Sequence, residues 1–131
     1  MCRVLRCRLA AAPGSKVVLV HAFEPLAELE HPPTPGSTVD LAVRREQHRR
    51  ALATVWSAPL SAAGVAHTVQ LSEDTPIEAL LAAAAEHKAD LVVIGSHGSP
   101  GWQDRIFGRV ANALPPRLGG PVVIVPVRPA A

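Results

Sequence analysis

One stretch of this chain places glycine, serine, histidine and arginine at a spacing suited to holding a phosphate. Gly95, Ser96, His97 and Gly98 follow an apolar run, and Gly108, Arg109 and Val110 come nine residues later, giving G-x2-G-x9-G. Glycines let the backbone adopt positive φ and come close to a ligand, and the free amides of a helix start near Gly108 would face an anion. The stretch is not a Walker A loop, because no Gly-Lys-Ser/Thr follows, and Gly95, Gly98 and Gly101 are too widely spaced for a dinucleotide fingerprint. No general base stands beside a nucleophile. His97 and Asp104 are the candidates for proton transfer; a structural or ligand-contact role suits His97 better, and Asp104 would repel phosphate unless Mg²⁺ lay between them.

The elements that must position this stretch are two apolar runs, Leu91 to Ile94 before it and Val122 to Val125 after it. β-Branched runs without alternation suit strands covered on both faces, which implies a parallel sheet with flanking helices. In such sheets ligands bind beyond the carboxyl ends of the strands, where Gly95 lies. Lys16 to Ala22 (KVVLVHA) is a third run of this kind, with His21 read as a hydrogen-bonded histidine at its end. His67 to Leu71 (HTVQL) alternates and is expected at or near a sheet edge.

Between the strands the spacing predicts helices. Thr75-Pro76-Ile77-Glu78 combines an N-cap, a proline at the first helical position and a carboxylate in the first turn, followed by an apolar face through Leu80, Leu81 and Ala84. Ser37, with Asp40 three residues on, suggests another helix start; Pro59 should kink or interrupt that helix, and Gly64 closes it. Its first half carries Arg44, Arg45, His48, Arg49 and Arg50, read as a solvated face with Glu46 among the arginines. Phe23 to Gly36, with four prolines, reads as a loop, and Met1 to Ala12 as a short helix ended by Pro13-Gly14.

At 131 residues the chain is one domain that can bury a core without disulfides or metal. It has two Phe, two Trp and no Tyr, so the core must be aliphatic and platforms for stacking bases are scarce. A net charge of +2 gives no argument for nucleic acid or membrane partners. Cys2 and Cys7 form no zinc pattern, no secretory signal is evident and no run is long enough to span a bilayer, so a cytoplasmic protein is expected.

The sequence resembles the universal stress protein family in ADLVVIGSHG, in the G-x2-G-x9-G spacing and in the closing PVVIVPV. The likeness continues backward through TPIEALLAAAAEHKADLVVIG and KVVLVHAFEP, and so covers almost the whole chain. It implies an α/β fold: a parallel sheet with helices on both faces and strand order 3-2-1-4-5, strand 1 being missing from this chain. It also implies ATP, with Mg²⁺, as the ligand. Ile94, Gly95, Ser96, His97 and Gly98 would line the loop entry, Gly108, Arg109 and Val110 would meet the phosphates, and Ala22 would touch the nucleoside. Arg109 stands where the family places Ser or Thr, and Pro115-Pro116 is expected to stop the last helix near Leu114. A homodimer through the C-terminal strand, Val122 to Val127, is implied as well. The competing expectation is a member of the same family that binds no nucleotide and serves as a dimerising or partner-interaction module.

Overall fold

The computed structural model describes residues 13–95 and 103–125. The expectations on Met1–Ala12, Ser96, His97, Gly98, Pro126 and Val127 lie outside the described residues.

The first strand, β1 (Val17–Ala22), pairs in parallel with β2 (His67–Ser72), from Val17 opposite His67 to Ala22 opposite Ser72. β3 (Val92–Gly95) pairs in parallel with β4 (Val122–Val125), from Val92 opposite Val122 to Gly95 opposite Val125. β1, β3 and β4 fall on apolar runs of β-branched residues, β2 falls on the alternating HTVQL stretch, and both pairings are parallel. Among the described residues the strands form two two-stranded sheets, β1-β2 and β3-β4, with the break between β1 and β3.

Helix α4 (Pro76–Glu86) spans this break, packing on β1 and against α5 (Gln103–Leu118). It starts as its sequence predicts: Thr75 Oγ1 accepts from the Glu78 amide at 3.4 Å, and Pro76 occupies the first turn. Ala79, Ala83 and Ala84 are buried, and such short side chains let the helix backbone approach the strands closely. The helix ends past His87 at Lys88, which takes φ +49, the left-handed conformation a helix terminus favours.

Three local expectations change. The Phe23–Gly36 stretch is not all loop: α1 (Pro25–Glu30) forms within it, because a proline is harmless in a first helical turn, where the amide has no intrahelical partner. Asp40, and not Ser37, caps α2 (Leu41–Ala53); its carboxylate accepts from the amides of Ala42 at 3.0 Å and Val43 at 3.2 Å. Ser37 instead donates its hydroxyl to Thr34 O at 2.6 Å. The interruption expected from Pro59 is present, with α2 ending at Ala53 and a separate α3 (Ala58–Ala62) taking Pro59 into its first turn.

The third change concerns α5, which continues through Pro115 and Pro116 to Leu118 instead of stopping near Leu114. A proline inside a helix costs about 3 kcal/mol. Here both prolines are exposed, while Leu114 is fully buried and Leu118 packs one turn later on the same core. Burying Leu114 contributes about 1.5–3 kcal/mol, and the partly buried Leu118 adds a smaller share, offsetting part of that cost. That core joins Ala84, Val92 and Leu114, with Leu80, Ile94 and Val122 packed around it. Strand faces are not covered on both sides, however: Val93 is 50% exposed and Val123 38%.

Candidate functional site

The candidate site lies at the carboxyl end of β3. Gly95 is exposed there and sits opposite Val125. Ile94, the residue before it, is half-buried against the Ala84–Val92–Leu114 core, so its backbone rather than its side chain is what it can offer a ligand at the loop entry. Val110 packs against the same core from α5. The two ends of the glycine-bearing stretch, Gly95 and the Gly108–Val110 segment, are therefore anchored on one small aliphatic cluster.

The start of the last helix differs from expectation. α5 begins at Gln103, so Gly108, Arg109 and Val110 lie inside it rather than at its first turn. Amides inside a helix are engaged by carbonyls four residues back; the amides open to an anion are those of the first turn, residues 103–106. Ala22 is half-buried, closes β1 opposite Ser72 and belongs to the other sheet. A cavity of about 580 Å³ lies elsewhere, where Asp90 and Pro121 lead into the amino ends of β3 and β4 beneath the Arg117–Glu78 ion pair, and it takes no part in this site.

A second constellation, beside Ala22, combines residues from β1, α1 and α2. His21 Nε2 lies 2.9 Å from His48 Nδ1, and the two rings stack with centroids 5.0 Å apart. His48 Nε2 is 3.0 Å from Glu28 Oε1, and Arg44 Nε donates to Glu28 Oε2 at 2.7 Å. Trp56 closes on His21 at 4.8 Å between ring centroids, and the buried Phe23 meets His48 edge-on at 5.1 Å. Burial chiefly, and then the neighbouring His48, hold the His21 pKa below the usual histidine value, with Glu28 opposing. For Glu28, burial works to raise the pKa, but the Arg44 hydrogen bond and charge together with His48 prevail and hold it below the usual carboxylate range.

His21 is hydrogen-bonded at a strand end, as its position suggests; what went unread is the company it keeps. Arg44 and His48 are one helical turn apart, a spacing that offers two side chains to one partner. Glu28 was hidden in a stretch whose prolines argued for loop. The remaining arginines of α2 behave as a solvated, acid-paired face: Arg45 pairs with Glu73, and Arg49 and Arg50 pair with Glu46. Among the described residues no group of His, Cys, Asp and Glu could hold a metal ion, and no helix is long and apolar enough to cross a membrane.

Comparison with known proteins places these features in a lineage. The family model for the universal stress protein family matches residues 3–126. Among curated proteins, the chain is 28% identical over 117 residues to the universal stress protein in the QAH/OAS sulfhydrylase 3′ region of Thermus aquaticus, covering 88% of this chain and 81% of that one. Among solved structures, a universal stress protein family member from Burkholderia pseudomallei superposes with a TM-score of 0.58 at 27% identity, covering 92% of this chain and 80% of that one. With nearly its whole length matched by the family model, and its parallel strands and helices in that family's arrangement, the chain belongs to the universal stress protein family.

Proposed function

We propose that this chain binds an adenine nucleotide, ATP with Mg²⁺, beyond the carboxyl end of β3, and that it works in the cytoplasm as a stress-response sensor or regulator and not as an enzyme. The observation supporting this reading is the common anchoring of Gly95 and of the Gly108–Val110 segment on the Ala84–Val92–Leu114 core, which keeps both ends of the glycine stretch at a fixed separation. A loop held at both ends loses less freedom when it closes on a ligand. An anion there would find the first-turn amides of α5, and Arg109 is a residue type able to bind phosphate where the family uses a hydroxyl.

The test is nucleotide release and thermal shift. Denaturing freshly purified protein should liberate adenine nucleotide, and millimolar MgATP should raise the melting temperature, with about 2.7 kcal/mol of added stability at a hundredfold excess over Kd. No released nucleotide together with no shift at millimolar MgATP rejects the reading.

The second reading, a member that binds no nucleotide and acts through dimerisation, is favoured by one observation. Among the described residues β4 pairs with β3 alone, which leaves it an edge strand whose Ile124 is 40% exposed. Pairing of two such edges would make Val122 to Val127 the dimer contact. Sedimentation at micromolar concentration separates the cases: a dimer that persists without nucleotide supports it, and a monomer removes it.

A further inference from the structure

We propose that α1 is a proton-sensitive flap, held against β1 and α2 by the Glu28–His48–His21 chain at neutral pH and released on acidification. The inference is independent of nucleotide binding. α1 has no buried residue, and its two leucines face solvent, Leu26 at 74% and Leu29 at 50% exposure. Apolar burial therefore does not hold it. Its attachment is Glu28, whose side chain is only 15% exposed and is gripped by Arg44 and His48.

The contacts form a continuous chain. His48 Nε2 faces both Glu28 Oε1 at 3.0 Å and Arg44 Nη2 at 3.2 Å, and His48 Nδ1 lies 2.9 Å from His21 Nε2. With hydrogen on His48 Nε2, that nitrogen donates to the Glu28 carboxylate and Nδ1 accepts from His21.

The other charged groups near Glu28 and His21 are already paired. Arg44 is already engaged with Glu28, and Arg45 lies over the Phe23 ring and pairs with Glu73. From α4, which packs on β1, Glu78 pairs with Arg117 and Glu86 accepts from Gln70. Trp56 and Phe23 supply uncharged rings. Release of α1 removes Glu28 from Arg44 and His48, whose contacts hold its pKa down, so Glu28 binds a proton more readily in the open state. Its closed-state pKa lies below the ordinary 4.5. Proton uptake on opening means that acid favours opening as pH falls below 4.5.

Hydrogen–deuterium exchange between pH 7.5 and about 3, corrected for the intrinsic chemical rate, provides the test. Protection in the segment from Glu24 to Asp40 should fall about tenfold more than protection in α4, the fold-change of one unit of proton linkage. Glu28→Gln, which keeps the shape and removes the charge, should show the low protection already at pH 7.5. His87→Gln should leave the whole response unchanged. Protection that falls in step with α4, or that is unaltered in Glu28→Gln, overturns the proposal; if Glu28→Gln does not fold, the wild-type profile decides.

Discussion

Around β1 the packed side chains are rings and charges, His21, His48, Trp56, Phe23, Glu28 and Arg44; around β3 they are aliphatic, Val92, Ala84, Leu114 and their neighbours. The two regions are each built on one parallel strand pair, and α4 touches both. The aliphatic region depends on volume and shape, which protons do not alter. The ring-and-charge region depends on hydrogen-bonded titratable groups, so its stability follows pH. Chains with the same fold can thus hold one half by packing and regulate the other by protonation.

The largest expected effect comes from removing volume in the aliphatic region. Leu114→Ala should cost about 2–5 kcal/mol in chemical denaturation. Exchange protection should fall first in α5 and β3; equal loss in α1 would show that the two regions are not separable. The next effect is pH. Because the folded-state pKa values of His21 and Glu28 are both lowered, their stabilisation is present at neutral pH and is lost as pH falls, below 6.5 for His21 and below 4.5 for Glu28. A stability profile from pH 7.5 to 4 should slope accordingly, and Leu114→Ala should shift that profile down without changing the slope. A slope that disappears in Leu114→Ala would place the titrating groups in the wrong half.

Thr75→Ala removes the cap of the helix that serves both regions and should cost about 1 kcal/mol. Here the two regions should lose exchange protection together, which makes it the control for the first experiment. The smallest effect belongs to Glu46→Gln, whose partners Arg49 and Arg50 are exposed on the surface of α2. No measurable change in melting temperature is expected, since screened surface pairs hold little.

All four strands were legible in the sequence because runs such as Val17–Val20 and Val122–Val125 satisfy strand propensity and burial at once. Thr75-Pro76 announced α4 for the same reason, local chemistry and global fold agreeing. Where a local signal and tertiary packing disagree, sequence reasoning fails. Pro115-Pro116 argued for a stop that the packing of Leu114 and Leu118 overrode, and the prolines around α1 concealed a helix held by one glutamate. Ser37 and Asp40 both suit a cap, and only the path of the chain selects Asp40. Of the candidate site, Gly95 was legible as a strand-end glycine, whereas the start of α5 at Gln103 was not, since Gln103, Asp104 and Arg105 carry no apolar spacing to distinguish helix from loop. The His21–His48–Glu28 chain draws on three elements and has no sequence-local pattern at all.

The proline pair in α5 has a mechanical consequence. Neither Pro115 nor Pro116 can donate to the carbonyls of Ala111 and Asn112, so the hydrogen-bond ladder that would couple the two parts of the helix is thinned at that point. The later part is riveted to the core by Leu114 and Leu118, while the earlier part leads into the glycine stretch. The thinned turn therefore lies between two points of attachment, Val110 before it and Leu114 and Leu118 beyond, so the helix can bend there without leaving the core.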